Sequence, residues 1–414
     1  MSQAIVSPLS PGREADSSTT GPAWAVCDLD SIESRKVAIA ATRDLIPRAQ
    51  FGAMAYDVEW RLGPEPDWAS VLALVYRDGS GRSGYAPFFR QERPLELHFG
   101  EIKWASFDVD RLTLNGPPIL PEVPRDELVR ITLSLLDAVD ANRAPTESVY
   151  FEGLPVDSVA YELITGYPAI AGRFVSVPLG APYEHQFAQL PETYEAYLGQ
   201  LGSRSRQSVQ YSERKLEKQM AGTVRTACFD TEESVERFLA DGAAVSRRTY
   251  QWNLLGLGLR DTPALRSQLR MAAQRGWFRS YILYCREQPV AFMLGYQYAG
   301  CYYYTDVGYD PDYAKWSVGS VLQLKVMQHL YSRDDRRPLL FDFSTGYGSH
   351  KARFGNVARR EANVLLLPRT LTNRLKATAF LVNERASLGT AALLERVGVK
   401  ARVKKLLRGI AGTR

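Results

Sequence analysis

The chain has 414 residues, 45% hydrophobic and 23% charged, which excludes a low-complexity polymer and implies a soluble globular protein of two or three domains. A net charge of +5 is too small at this size to argue for nucleic acid. The charge is uneven: Leu371–Arg414 holds ten Lys/Arg against two Glu, which leaves the rest of the chain slightly acidic.

Residues 1–23 lack an apolar core of signal-peptide length and are expected to be a disordered lead-in. Ordered structure is expected from Trp24. Asp30–Arg43 is predicted to be helical, capped by Asp30 or Ser31. Val71–Tyr76 and Gly84–Arg90 are predicted strands around Arg77-Asp78-Gly79-Ser80-Gly81. Leu112–Leu120, with Asn-Gly-Pro-Pro at its centre, is expected to be mostly loop. Asp126–Asn142 has helical spacing at Leu128, Ile131, Leu135, Leu136 and Val139, and Ser148–Glu152 is a short strand.

A second unit is expected from Gly172. Phe174–Leu179 reads as a strand, Tyr194–Leu201 as a helix, and Ser203–Met220 as a charged helix with a thin apolar seam at Val209 and Leu216. Strand Thr223–Phe229 and helices Thr231–Arg247 and Thr262–Arg275 follow. Phe278–Arg286, Val290–Tyr298 and Cys301–Val307 form a predicted antiparallel meander rich in β-branched and aromatic residues. Helix Ser317–Tyr331 and strand Leu339–Ser344 complete it. Each half has helices, a turn-linked strand pair, then a helix and a strand, as two divergent copies of one fold would. The domains expected are 24–171, 172–370 and a helical basic tail, 371–414. Val399, Val403, Leu406, Leu407 and Ile410 share one face of that tail, with Lys400, Arg402, Lys404, Lys405 and Arg408 around them. Such a helix either lies on an anionic membrane surface or packs on protein.

Reactive side chains concentrate in Cys301–Gly355. In Leu339–Ser344, strand alternation puts Leu339, Phe341 and Phe343 on one face and Leu340, Asp342 and Ser344 on the other. A carboxylate in so apolar a strand needs a partner. Asp342 is therefore either a structural group, satisfied by an amide or an arginine, or a catalytic one. Asp306 carries the same ambiguity. Ser317-Val318-Gly319-Ser320 opens a helix after a strand, where free N–H groups and the helix dipole attract phosphate. The loop after Ser344 brings Tyr347, His350, Lys351 and Arg353 together, as a binding loop would. His98, His185 and His329 lack a partner pattern. Cys27, Cys228, Cys285 and Cys301 have no metal spacing and no His/Asn context, which argues for reduced, non-catalytic thiols in the cytoplasm.

Residues 190–367 resemble the GNAT-fold acyltransferase domain of the CelD-like family of cellulose and exopolysaccharide biosynthesis, and more distantly the FemAB-type aminoacyltransferases. The resemblance rests on Ser203-Arg204-Ser205-Arg206 with Glu213-Arg214-Lys215-Leu216-Glu217, on Pro289-Val290-Ala291, and on Tyr302-Tyr303-Tyr304 with Gly308–Ala314. Ser317–Leu322, Phe341-Asp342-Phe343 and Lys351–Gly355 complete it. Of the GNAT pyrophosphate signature Gln/Arg-x-x-Gly-x-Gly/Ala, the chain has Trp316, Gly319 and Val321, so only the middle glycine matches.

The resemblance implies an α/β (α+β) architecture of two tandem GNAT-like domains, the first degenerate. It implies an acyltransferase moving an acyl group from acyl-CoA, acetyl-CoA above all, to an amine of an envelope or exopolysaccharide precursor, without a metal. The alternatives are an aminoacyl-tRNA-dependent transferase and a non-catalytic scaffold in polysaccharide assembly. The implied donor contacts are Val307, Ser317, Val318, Gly319 and Ser320, with the oxyanion met by an N–H near Val307 or Gly308. Asp342 or Asp306 would take the amine proton. Tyr347, or Tyr309, would protonate the leaving thiolate. Tyr304, His350, Lys351 and Arg353 would bind the acceptor or donor phosphate. The expected location is cytoplasmic, peripheral at the inner membrane face.

Overall fold

The computed structural model describes residues 23–49, 51–100, 102–249, 252, 258–332, 337–345 and 349–396, with backbone alone for 349–350 and 391–396. The expected lead-in, Tyr347 and the tail face at 399–414 lie outside the described residues, as does the side chain of His350.

The first half runs β1 (Ala23–Val26), α1 (Ile32–Arg43), α2 (Val58–Leu62), β2 (Val71–Arg77), β3 (Ser83–Glu92), β4 (Leu95–Phe99), β5 (Ile102–Phe107), β6 (Asp110–Asn115), α3 (Arg125–Asn142), β7 (Ser148–Pro155), α4 (Val159–Gly166) and α5 (Pro168–Arg173). The second runs β8 (Phe174–Pro178), β9 (Tyr183–Gln189), α6 (Tyr194–Gln200), α7 (Ser203–Gln219), β10 (Val224–Phe229), α8 (Val235–Ser246), α9 (Pro263–Gln274), β11 (Ser280–Cys285), β12 (Gln288–Tyr298) and β13 (Cys301–Tyr309). It ends with α10 (Val318–Tyr331), β14 (Leu340–Asp342), α11 (Ser349–Phe354), β15 (Val357–Pro368) and α12 (Leu371–Arg396).

Local chemistry sets the helix starts. The Ser31 and Ser34 side chains form a reciprocal capping box on α1. Thr262 caps α9, whose first residue is Pro263. On α7 only Val209 and Leu216 are buried, and the charges beside that seam are put to use: Lys325 of α10 pairs with Glu213 at 2.5 Å and Glu217 at 3.0 Å.

One mixed sheet crosses the molecule in the order β1-β2-β3-β6-β7-β15-β9-β14-β13-β12-β11-β10, with β8 also pairing β15 and β4–β5 a separate hairpin. The two ends repeat each other. In the first half β1, β2, β3 and β6 are antiparallel neighbours and β6 pairs in parallel with β7, α3 lying between them in sequence. In the second half β10 to β13 do the same, and β13 pairs in parallel with β14 across α10. The architecture is thus two tandem GNAT-like units in a mixed α/β fold, followed by a helical C-terminal region. Their sheets join through β15, which pairs β7 on one side and β9 on the other.

Expectation and structure part at Leu112–Leu120. Residues up to Asn115 belong to β6, and the loop begins at Gly116. The turn residues Asn-Gly-Pro-Pro had masked the alternation of Leu112 and Leu114, which enter the first-half core. The alternation across Leu339–Ser344 is as expected: Phe341 and Phe343 pack with Tyr302, Tyr304 and α10, while Leu340 packs on the opposite face with Cys301 and Tyr303. Among the described residues no helix is long and apolar enough to cross a membrane.

Candidate active site

The site forms where β13 and β14 part. Their parallel pairing covers only Cys301–Tyr303 against Leu340–Asp342, yet β13 continues to Tyr309. Beyond Tyr303 no strand among the described residues pairs with the edge of β13 that faces β14, so from Thr305 onward that edge is available to a ligand. On its other edge β13 is held by β12, with a bulge: Asp306 opposes Leu294 and Tyr304 opposes Gly295, leaving Thr305 unpaired in register. Thr305 anchors the bulge by donating from Oγ1 to Leu294 O at 3.1 Å.

A cavity of about 580 Å³ fills this splay. Tyr304, Val307 and Gly308 come from β13, Ser317, Gly319, Ser320 and Gln323 from the start of α10, and Arg353 and Phe354 from α11. The first helical bond of α10 runs from Val321 N to Ser317 O, so the N–H groups of Val318, Gly319 and Ser320 precede the ladder. No side chain caps them and no acidic residue lies in the first turn. Ser317 reaches this position with φ of 54°, the left-handed region that a serine adopts at a cost. The helix start is therefore an electropositive cradle at the cavity edge. Arg353 adds a guanidinium that makes no hydrogen bond or ion pair among the described residues. Gln323 is 4% exposed, and its amide nitrogen is buried without a partner. A buried unpaired N–H costs about 1–3 kcal/mol, a cost that a bound acceptor group would remove.

Asp342 stands elsewhere. Its Oδ1 accepts from His185 Nε2 at 2.7 Å and from Ser344 N at 2.7 Å. His185 reaches Glu361 through Nδ1 at 3.2 Å, and Arg359 Nε donates to Glu361 at 2.8 Å. Burial works against charge on His185, but the bonds and charges of Asp342 and Glu361 outweigh it and lift the ring to about 9. The imidazolium is thus clamped between two carboxylates. Lys351 is equally committed: its ammonium donates to Ser344 O at 3.1 Å and Thr345 O at 2.7 Å, and burial draws its proton affinity below the usual lysine range. Asp306 is an exposed residue, but burial of its carboxyl raises it above the usual carboxylate range.

Of the expected site residues, the structure brings Tyr304, Val307, Ser317, Gly319, Ser320 and Arg353 to one cavity, with Tyr309 beside Gly319. Val318 is buried in the core, and Asp306, Asp342 and Lys351 do not line the cavity. Gln323, His185 and Glu361 are the additions. Gln323 could have been found as a polar residue in the apolar run Val318–Leu330. His185 and Glu361 sit on β9 and β15, strands too polar to be read as such.

The equivalent place in the first half is closed. There β6 and β7 pair over five residues, Arg111–Asn115 with Ser148–Glu152. Beyond them the buried Tyr56 packs against Gly116 and donates to Pro117 O. The matching helix, α3, opens with Asp126 and Glu127, which repel an anion.

Residues 203–352 match the family model described as an acetyltransferase (GNAT) domain. No curated protein matches the chain significantly. Among solved structures, FemX is similar at 10% identity with a TM-score of 0.52, covering 80% of this chain and 98% of FemX. The C-terminal domain of a putative lysylphosphatidylglycerol synthetase from Agrobacterium fabrum gives 13% identity and 0.45, covering 83% and 96%. A tandem GNAT protein from the clavulanic acid pathway gives 10% and 0.42, covering 83% and 98%. Together with the splay between β13 and β14, the domain match gives residues 203–352 a GNAT-type acyltransferase fold.

Proposed function

We propose that the protein is an N-acyltransferase, carrying an acyl group from a phosphate-bearing activated donor, acyl-CoA in the first instance, to an amine of an envelope or exopolysaccharide precursor. The observation that carries this is the cavity in the splay, which combines a strand edge that no described strand covers, an uncapped helix start, Arg353 with no partner among the described residues and the orphaned Gln323 amide. The helix start and Arg353 would hold the donor's phosphates. An open N–H near Val307 or Gly308 would meet the oxyanion that forms when the amine attacks the acyl carbon. Holding the two reactants together in the splay supplies much of the acceleration.

The attacking amine must lose a proton. Asp306, on β13 next to Val307 though outside the cavity wall, suits that role better than Asp342, because burial raises its carboxyl above the usual carboxylate range while Asp342 is saturated by His185 and Ser344. Asp306→Asn is expected to lower kcat roughly a hundredfold with the fold unchanged. Asp342→Asn is expected to act first on stability. The reverse pattern would return the role to Asp342.

Donor binding is checked by thermal shift and calorimetric titration with acetyl-CoA and longer acyl-CoAs. Binding should weaken roughly tenfold in Gln323→Leu, the loss of one buried hydrogen bond. If no acyl-CoA binds, the reading gives way to an aminoacyl-tRNA donor. That alternative draws on the exposed Arg214, Lys215 and Lys218 of α7, and RNA co-purifying with the protein would mark it.

A further inference from the structure

A second cavity, about 590 Å³, lies where the β4–β5 hairpin, the Leu179–Gly180 turn and α12 meet, and none of its walls belongs to the splay. Arg93 and Arg111 both line it. Arg111 is 8% exposed, with its Nε buried and without a hydrogen-bond partner. Its guanidinium lies over the Tyr150 ring, 4.8 Å from the centroid. Burial, joined by the charge of Arg93 and opposed by Tyr150 and Glu152, draws its proton affinity below the usual arginine range. Among the described residues neither arginine side chain makes a hydrogen bond or ion pair. A buried guanidinium with an unpartnered Nε, in the same cavity wall as a second, exposed guanidinium, is an arrangement that an anion would complete. The carboxylates at the cavity do not: Glu96 is held by Lys103 at 2.6 Å and His98 at 2.9 Å, and burial pushes Glu384 toward its neutral form.

The hairpin and helix that wall this cavity also carry large exposed apolar side chains. Phe99, Ile102 and Trp104 of the hairpin are 46%, 49% and 62% exposed, and Leu388 of α12 is 65% exposed. The hairpin is fixed in this pose, because Trp104 Nε1 donates to Asn383 at 2.8 Å and Gly100 N to Ser387 at 3.1 Å. Three large apolar side chains on one exposed tip, with Lys103 among them, have the chemistry of a membrane-interface anchor. The basic surplus of residues 371–414 lies on the same terminal segment as α12.

We propose that this hairpin–helix face docks on an anionic membrane, with Phe99, Ile102 and Trp104 entering the interface and Arg93 and Arg111 taking a lipid phosphate. The docking does not depend on the transferase reading.

The test uses the full chain in co-sedimentation with phosphatidylcholine vesicles and with mixed phosphatidylcholine–phosphatidylglycerol vesicles. Binding at least roughly tenfold tighter to the anionic vesicles is expected, since basic residues at such a surface are drawn to anionic lipid. Arg93→Glu and Trp104→Ser, both at exposed positions, should each remove most of that binding while circular dichroism stays unchanged. Equal binding to both vesicles would overturn the proposal. So would full binding by the Arg93→Glu/Trp104→Ser double variant, which would assign the affinity to residues beyond α12. Absence of vesicle binding, with a thermal shift from inorganic phosphate that Arg111→Met abolishes, would give the cavity to a soluble anion and overturn the membrane assignment.

Discussion

A histidine with a carboxylate on each ring nitrogen is an expensive group to bury, and His185 shows how the chain offsets the cost. Asp342 and Glu361 make its positive form the stable one, and Arg359 keeps Glu361 ionised. Because the folded ring titrates near 9 against 6.5 for a free histidine, its contribution is fully present below pH 6.5 and is lost as pH rises through 9. The difference corresponds to stability on the order of 3 kcal/mol. Glu361, shifted below the usual carboxylate range by His185 and Arg359 against the effect of burial, contributes in the opposite direction, losing its share only in acid. Urea unfolding at about pH 6 and about pH 9.5 is expected to show that decline in the wild type. His185→Gln should be less stable at the lower pH and should lack most of the decline. An equal slope in the variant would place the titration elsewhere. The sequence could not disclose this cluster. Asp342 announces its need for a partner by its strand position, but the partner lies 157 residues away in sequence.

At the scale of the element, α10 has two demands on its first turn. A helix start gains from a capping side chain or an acid, and α10 has neither, although α1 and α9 are capped in the usual way. Ser320→Asp would place a carboxylate where the dipole favours it, and is expected to stabilise the protein by about 0.3–1 kcal/mol in thermal or urea unfolding. The same charge should repel the donor's phosphates and weaken acyl-CoA binding at least roughly tenfold. Higher stability with unchanged donor affinity would remove the helix start from the donor site. This element was legible: Ser317-Val318-Gly319-Ser320 between a strand and an apolar run reads as a helix start. The strands that flank the site on its far side were not. β9 is polar along most of its length, and the first half of β15 carries Arg359, Arg360 and Glu361, of which Glu361 pairs with Arg359 on its own strand and with His185 on β9. Hydropathy reads such strands as loop. The run Val364–Leu367 closed by Pro368 was the one local signal that β15 offered.

At the scale of the whole molecule, β15 decides how the halves relate. It belongs by sequence to the second half, yet its residues Glu361–Leu366 pair with Pro155–Val149 of the first. Val364 and Leu366 enter the first-half core, whereas Leu365 and Leu367 enter the cluster beneath α12. Side chains reinforce the ladder. Arg275 holds Glu59 with bonds of 2.6 and 2.9 Å, Tyr298 donates to Asp57 at 2.7 Å, and Met54 N donates to the Tyr303 hydroxyl at 3.1 Å. Domains that meet through side chains alone usually move and melt separately, but a shared strand couples their backbones. Scanning calorimetry is therefore expected to give one cooperative transition. Leu366→Ala, which opens a hole in the first-half core from a residue of the second half, should cost about 2–5 kcal/mol and lower that single transition as a whole. Two transitions, with only one displaced by the substitution, would mean that the continuous sheet does not make the halves one folding unit.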